Sequence, residues 1–395
     1  VTKGRVLVTI TGADHPGITA TVARILAETQ VTLLDIEQVV VQGNLTLCLL
    51  LGFDDPAAYT QPVLKDLLFE GKSLGINVDF KVMPPTSETV SATTDYVITL
   101  ISSRVNAAHL RAVATRLAQW NANIEHIQRL TEEHLAAVEI LFSLPAQVDA
   151  SELKKALLAV STEQGCDIAI QRNDIYRRSK RLVAMDMDST LIRIEVIDEL
   201  ARIAGVGEQV AAITRRAMAG EMDYDESLRQ RVALLKGLDA GALEQIAQTL
   251  PLTEGAETLI RVLKKLGYRT AVISGGFNVP ALALKEKLGL DYAHSNVLEV
   301  QDGKLTGRVS GGIVNAQRKA DLLEALAQQE RISLDQTVAI GDGANDLLMI
   351  QRAGLGIAFH AKAKLREAAD TSLSGGLDSV LYLLGITARD LRDVR

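Results

Sequence analysis

The apolar run Arg181-Leu182-Val183-Ala184-Met185 stops abruptly at Asp186-Met187-Asp188-Ser189-Thr190. Such a run reads as a short buried strand. Three more follow, Arg269–Ile273, Thr337–Ile340 and Leu355–Phe359, with helix-like segments between them. Buried strands alternating with helices imply a parallel sheet. Ligands meet an open α/β sheet at the carboxyl ends of its strands, which is where the two acids fall. Side chains alternate along a strand, so positions 186 and 188 can face one cleft. One carboxylate can then attack as a nucleophile while the other moves a proton, and a divalent cation can sit against them. Taken alone, the pentapeptide could also be an acidic strand-end turn.

Three further segments fall where this chemistry needs them. Ser274-Gly275-Gly276 ends the second strand. A hydroxyl and glycine N–H groups at a strand-to-helix junction suit phosphate oxygens. Lys319 opens an expected helix, Gln317–Gln329; there it is either a solvated charge or a cation that holds a carboxylate and a phosphoryl group together. Gly341-Asp342-Gly343-Ala344-Asn345-Asp346 follows the third strand, and its acids suit a hard cation, although the remaining spacing of an EF-hand is missing. Each segment has an ordinary reading as a turn or a surface charge. Their joint order, three of them directly after buried strands, does not. Between the first two strands lies a helical stretch, about 195–250, with amphipathic runs such as Val196, Ile197, Leu200 and Ile203. An insertion directly after a catalytic loop is placed to cover the site as a cap. Val297–Val309 reads as a hairpin turning at Asp302-Gly303.

The first half of the chain is a repeat. Strand Arg5–Thr11, helix Pro16–Gln30, strands Leu33–Val41 and Leu45–Phe53 joined at Gly43-Asn44, helix Gln61–Gly71 and strand Asn77–Val82 form one βαββαβ unit. A second runs Tyr96–Ser102, Ala107–Trp120, Ile124–Thr131, Leu135–Leu144, Ser151–Glu163 and Cys166–Ile170. A shift of 91 positions lays Ile10 on Ile101, Val22 on Val113, Ile36 on Ile127 and Leu47 on Val138. The polar stretch Pro84-Pro85-Thr86-Ser87-Glu88-Thr89 separates the copies as a linker. These units resemble ACT domains, ferredoxin-like modules that bind amino acids. The expected boundaries are 1–84, a linker at 85–94, 95–173, and a catalytic domain at 174–395. In the first copy Gly12-Ala13-Asp14-His15-Pro16-Gly17 resembles the ACT ligand loop, which makes Asp14 and Gly17 candidate effector contacts. The equivalent Ser103-Arg104-Val105-Asn106-Ala107-Ala108 lacks the Asp, Pro and Gly.

Composition narrows the classes. With 395 residues and 47% hydrophobic content the chain can pack several cores, and a net charge of −7 argues against a nucleic-acid binder. Cys48 and Cys166 sit in apolar, strand-like surroundings and read as buried small hydrophobes. No stretch approaches the ~20 apolar residues of a membrane span, and the alternating Val6, Val8 and Ile10 are no signal peptide, so a cytoplasmic protein is expected.

With these residues in view, the segment from about Arg181 to Leu384 resembles the phosphoserine phosphatases of the haloacid dehalogenase superfamily. It carries their Asp-x-Asp-Ser-Thr, Ser-Gly-Gly-Phe, lysine and Gly-Asp-Gly-Ala-Asn-Asp segments. The resemblance implies an α/β fold: a Rossmann-like core with a parallel sheet and helical cap, preceded by two ferredoxin-like ACT domains. It implies Mg²⁺-dependent hydrolysis of phosphoserine, with Asp186 as nucleophile and Asp188 as proton donor. Asp186, the backbone carbonyl of Asp188, and Asp342 would hold Mg²⁺, with Asp346 close by. Ser274, Gly275, Lys319 and Asn345 would contact the phosphoryl group. Glu195 would meet the substrate ammonium and Arg231 its carboxylate. Met218 and Tyr224 match cap positions near the substrate; some relatives carry phenylalanine at 224. ACT modules imply an amino-acid effector, serine, and a homodimer. Phosphotransfer to an alcohol acceptor such as homoserine, or a non-catalytic amino-acid sensor, remain the alternatives.

Overall fold

The computed structural model describes residues 4–29, 31–54, 62–84, 92–132 and 136–392. Most of the expected linker lies outside the described residues. The chain divides into two compact units, Val1–Ser91 and Ala92–Arg395.

The first unit is β1 (Gly4–Ala13), α1 (Ile18–Ala27), β2 (Thr32–Val41), β3 (Asn44–Phe53), α2 (Pro62–Ser73) and β4 (Asn77–Met83). Its antiparallel sheet has the order β2-β3-β1-β4. Alternation decides its inner face: Val6, Val8 and Ile10 of β1 and Leu45, Leu47, Leu49 and Leu51 of β3 are buried, and pack with Ile18, Val22 and Ile25 of α1. The helix starts later than its periodicity suggests, because Gly17 sits at φ +104°, a left-handed backbone that cannot continue into a helical turn. The β2–β3 turn is centred on Gln42-Gly43, one residue earlier than expected, with both at positive φ. That is the demand of a two-residue hairpin. Cys48 is only half-buried, Cys166 fully, and both are free thiols.

The second unit opens with the second copy: β5 (Thr93–Ile101), α3 (Ala107–Gln119), β6 (Asn123–Arg129), β7 (Ala137–Pro145), α4 (Ala150–Gln164) and β8 (Asp167–Arg172). Its sheet, β6-β7-β5-β8, repeats the first topology. The α/β core follows: β9 (Leu182–Met185), the inserted helices of the cap, α5 (Val196–Ile203), α6 (Gly207–Met218), α7 (Tyr224–Ala233) and α8 (Gly241–Gln248), then α9 (Ala256–Lys265), β10 (Arg269–Phe277), α10 (Asn278–Leu288) and the hairpin β11 (Tyr292–Gln301)–β12 (Lys304–Ser310). α11 (Ala316–Gln329), β13 (Thr337–Gly341), α12 (Leu347–Arg352), β14 (Gly356–Phe359), α13 (Ala363–Ala368), β15 (Thr371–Leu373), α14 (Val380–Leu383) and α15 (Ala388–Arg392) complete it. The sheet order is β12-β11-β10-β9-β13-β14-β15, parallel except for β12.

β9 lies at the centre, all four residues buried, as an apolar run with helices on both faces must. β10 extends past Ser274, whereas the sequence suggests a stop there; after an irregularity it pairs once more with β11, Phe277 opposite Asn296. The second ACT-like module is fastened to the core. Asp167 accepts from the Ser374 N–H at 2.9 Å, Gln171 Nε2 donates to the Leu383 carbonyl at 3.0 Å, and the Ala388 N–H donates to the Leu130 carbonyl at 2.8 Å. Arg177, just after β8, is buried against Glu139 of β7.

Candidate active site

Strand register brings the motifs together. Met185 pairs with Val272 on one side and Ile340 on the other. Asp186, Ser274 and Asp342 therefore emerge within one or two residues of the same level at the carboxyl edge. The Asp186 N–H extends the ladder by one bond, to the Ile340 carbonyl at 2.9 Å.

Lys319, on the first turn of α11, is the hub. It is fully buried, and its Nζ lies 2.8 Å from an Asp186 oxygen and 2.6 Å from an Asp346 oxygen. Burial works to lower its pKa, but the two carboxylates more than offset this and hold it above the ordinary lysine value. A lysine so placed is an internal counter-charge, not a solvated side chain. Asp346 belongs to a 3₁₀ turn, Ala344–Asp346, and its other oxygen accepts from the Gly343 N–H at 3.1 Å.

Asp186, Asp342 and Asp346 each present an oxygen, all within 4.8 Å of one another. Burial, with the neighbouring carboxylates, pushes Asp342 up to about 7 and Asp346 up to about 6. Crowded hard oxygens against one lysine are a donor set that fits a hard divalent cation. Both Asp346 oxygens are engaged, by Lys319 and the Gly343 N–H, whereas Lys319 and the Met187 N–H share Asp186 Oδ1, which leaves Asp186 Oδ2 and Asp342 with oxygen to offer. The Thr190 hydroxyl donates to Asp342 at 3.4 Å.

Asp188 differs from Asp186. Among the described residues no lysine forms an ion pair with it, its Oδ1 accepts from the Val196 N–H at 3.2 Å, and its pKa is raised well above the usual range. Burial is the main cause, with Glu195 and Asp186 adding to it. Two carboxyls two residues apart thus occupy unlike environments, one ion-paired and one favouring its proton. That division suits a nucleophile beside an acid.

The glycines of the 274–276 segment are steric necessities. A Cβ on Gly275 would lie 2.1 Å from the Tyr224 oxygen, and one on Gly276 would lie 2.4 Å from Asp188 Oδ2. From the cap, Glu195 stands at the start of α5 and accepts from the Ser189 hydroxyl at 2.8 Å. Burial raises its pKa. Arg231 on α7 donates from Nε to the Ser227 carbonyl at 3.3 Å and lies within electrostatic reach of Glu195 and Asp198. Tyr224 donates to the Gly275 carbonyl at 3.0 Å. Asn345 is half-buried in the acidic loop. Met218 is not drawn into the cluster: it is 70% exposed, with its sulfur 3.7 Å from Lys362 Nζ. In the first unit Asp14 and Gly17 lie on an exposed loop, where the Asp14 N–H donates to the Gly43 carbonyl at 2.8 Å.

The motifs do not point to Ser189 and Thr190 as partners of Glu195 and Asp342, although they lie inside the first motif. Asn296 is missed altogether. It is 1% exposed and donates to the Gly275 carbonyl at 2.7 Å. Nothing local marks it, because its partner is 21 residues away.

A seven-stranded, mostly parallel sheet with a nucleophile-like aspartate at its central strand, a buried lysine, an acidic loop and an inserted helical cap is the architecture of a haloacid dehalogenase-like hydrolase, and residues 180–354 match that family. Residues 4–81 and 94–171 each match an ACT domain. Over 394 residues the chain is 43% identical to the phosphoserine phosphatase of Streptomyces coelicolor, covering 98% of this chain and 93% of that one. It is 41% identical to the Mycobacterium tuberculosis enzyme of the same name, covering 98% and 95%. Among solved structures, a probable phosphoserine phosphatase from Vibrio cholerae superposes with a TM-score of 0.58 at 35% identity, covering 78% of this chain and 91% of that one. A haloacid dehalogenase family hydrolase from Salmonella enterica superposes with a TM-score of 0.64 at 31% identity, covering 73% and 98%. The chain belongs to the phosphoserine phosphatase family.

Proposed function

We propose that this enzyme hydrolyses O-phospho-L-serine to L-serine and phosphate, the last step of serine biosynthesis, through an aspartyl-phosphate on Asp186. The observation that carries the reading is the contrast between the two acids: Asp186 is 2.8 Å from the buried Lys319, while Asp188 is held toward its protonated form by burial. An Asp186 oxygen attacks phosphorus and the P–O bond to serine breaks. Asp188 gives its proton to the departing seryl oxygen, which is too basic to leave unaided. Water then attacks the acyl phosphate, Asp188 accepts the proton, and Asp186 is released as carboxylate. Lys319 with Ser274, Gly275 and Asn345 would bind the phosphoryl oxygens as charge shifts between them. Asp186, Asp342 and the Asp188 carbonyl would hold Mg²⁺, whose chemistry is to neutralise the anionic phosphoryl group.

Selectivity falls to the cap, since phosphomonoesters differ only beyond the phosphate. Arg231 would grip the substrate carboxylate and Glu195 its ammonium, with Tyr224 and Met218 beside them. In the first module, an amino acid, serine, would bind at the Asp14–Gly17 loop and lower activity. The edge strand β2 supports a homodimer through the ACT domains. All its residues are exposed, among them Ile36 (50%) and Val41 (62%), and an apolar edge of this kind invites pairing. Among the described residues no helix is long and apolar enough to cross a membrane. The covalent step is tested by acid-quenching the enzyme with ³²P-phosphoserine. Label should remain on the wild type and be absent from Asp186→Asn; equal labelling of both would refute the assignment.

A further inference from the structure

The Gly275–Gly276 peptide is held at both edges. Its carbonyl accepts from the Tyr224 hydroxyl at 3.0 Å and from Asn296 Nδ2 at 2.7 Å. Its N–H donates to Ser274 Oγ at 2.8 Å. A peptide is planar, so fixing both edges fixes its rotation. Asn296 is itself locked, since its Oδ1 accepts from the Val314 N–H at 2.8 Å. Turning that amide over would set donor against donor and acceptor against acceptor.

The consequence falls on Ser274. Its hydroxyl is fully buried, and the Gly276 N–H already occupies one of its acceptor positions. Its own proton is bonded to no acceptor among the described residues. The hydroxyl is thereby left as a donor whose direction the peptide sets. Two donors on the carbonyl polarise the amide and strengthen its N–H bond to Oγ, which in turn makes the O–H a better donor.

The two clamps come from different bodies. Asn296 is on β11 of the core, whereas Tyr224 opens cap helix α7. The next residue, Asp225, also reaches the core, accepting from Asn315 Nδ2 at 3.0 Å at the cap of the helix that carries Lys319. Burial raises the Tyr224 phenol above its ordinary value, so it stays a hydrogen-bond donor throughout the neutral range.

We propose that Tyr224 and Asn296 are positioning residues that act through the Gly275–Gly276 peptide to aim the Ser274 hydroxyl at a phosphoryl oxygen, and that Tyr224 makes this depend on the closed cap. The proposal rests on the reading of Ser274 as a phosphoryl contact. It assigns the hydroxyl of Tyr224 a task that a phenylalanine at the same position cannot perform.

The test is a double-mutant cycle on the full chain, using Tyr224→Phe, Asn296→Asp and Ser274→Ala alone and in combination. Asn296→Asp keeps an acceptor for Val314 and loses the donor to Gly275. The readouts are kcat/KM for phosphoserine and for p-nitrophenyl phosphate, the inhibition constant of inorganic phosphate, and thermal stability. Each clamp variant should lose roughly threefold to tenfold in kcat/KM, the scale of one hydrogen bond. The loss should be similar on both substrates, because the clamp serves the phosphoryl end. With Ser274→Ala already present, neither clamp variant should cost anything further. Full additivity with an impaired Ser274→Ala overturns the clamp and leaves the phosphoryl reading standing. A Ser274→Ala protein with unchanged phosphate affinity overturns that reading and the clamp with it. If Asn296→Asp does not fold, the Tyr224 arm decides alone, since the exchange removes one oxygen.

Discussion

Replacing Lys319 by methionine keeps its length and removes its charge. Asp186 and Asp346 would lose a cation that now lies 2.8 and 2.6 Å away. Three carboxylates within 4.8 Å of one another would be left facing each other. At that distance each ionised pair repels by about 3.5 kcal/mol at an effective dielectric near 20. Breaking one side of a buried ion pair costs on the order of 3–5 kcal/mol, so a local loss of that size is expected without divalent cation. The sign with pH follows from the raised carboxyls. In the folded state Asp342 and Asp346 keep protons up to about 7 and about 6, while unfolded carboxyls have already released theirs. Stability therefore falls as pH rises from the ordinary carboxylate range to about 7; Lys319 lowers both carboxyls, so its removal in Lys319→Met moves that window upward and the penalty grows as pH rises through it. The assay should be local, because a denaturant curve on a chain of several domains mixes their transitions. Hydrogen exchange of the β9 and β13 amides at pH 8, in EDTA and then in Mg²⁺, reads the site itself. Lys319→Met should lose protection in EDTA and recover part of it with Mg²⁺, more than the wild type gains, and turnover should collapse. Wild-type protection in EDTA at pH 8 would refute the view of Lys319 as the internal counter-charge.

Arg231→Ala should weaken kcat/KM for phosphoserine by roughly 2–5 kcal/mol equivalent, and hardly touch a plain alkyl phosphate; equal losses would make Arg231 a structural residue. Gly276→Ala places a methyl 2.4 Å from Asp188 Oδ2. It should cut turnover of phosphoserine at least about a hundredfold, the low end of general-acid catalysis, and that of p-nitrophenyl phosphate less, because nitrophenolate leaves without a proton. A chain beginning at Ala92 keeps the compact second unit. It should retain phosphatase activity and lose serine inhibition beyond competition at the active site; the same inhibition in both lengths would eliminate the first-module site. Cutting near Asp174 instead would strip Asp167 from Ser374 and Glu139 from Arg177, and confuse loss of regulation with loss of fold.

Local pattern was enough for the repeat. Ile10 and Ile101 lie in β1 and β5, Val22 and Val113 in α1 and α3, and Leu47 and Val138 in β3 and β7, all buried, because burial on one face imposes its period on the sequence; Ile36 and Ile127 match in β2 and β6 but stay exposed. The same holds for β9, β13 and β14, and for the acids and glycines at their ends, since strand termini in a parallel sheet need both apolar runs and turn residues. Element ends were less legible: the late start of α1 depends on the backbone of Gly17, and the extension of β10 on a single pairing with Asn296. What only the tertiary structure decided was how ambiguous residues are used. Lys319 could have been a surface charge by any local criterion, and became the buried hub because register brings Asp186 and Asp346 to it. Asn296 carries no motif, and Tyr224 looked like a variant cap residue; their shared partner, the Gly275 carbonyl, is 21 residues from one and 51 from the other. Periodicity encodes which face is buried. It does not encode which distant polar atom will satisfy a given donor, since that depends on how separate elements pack.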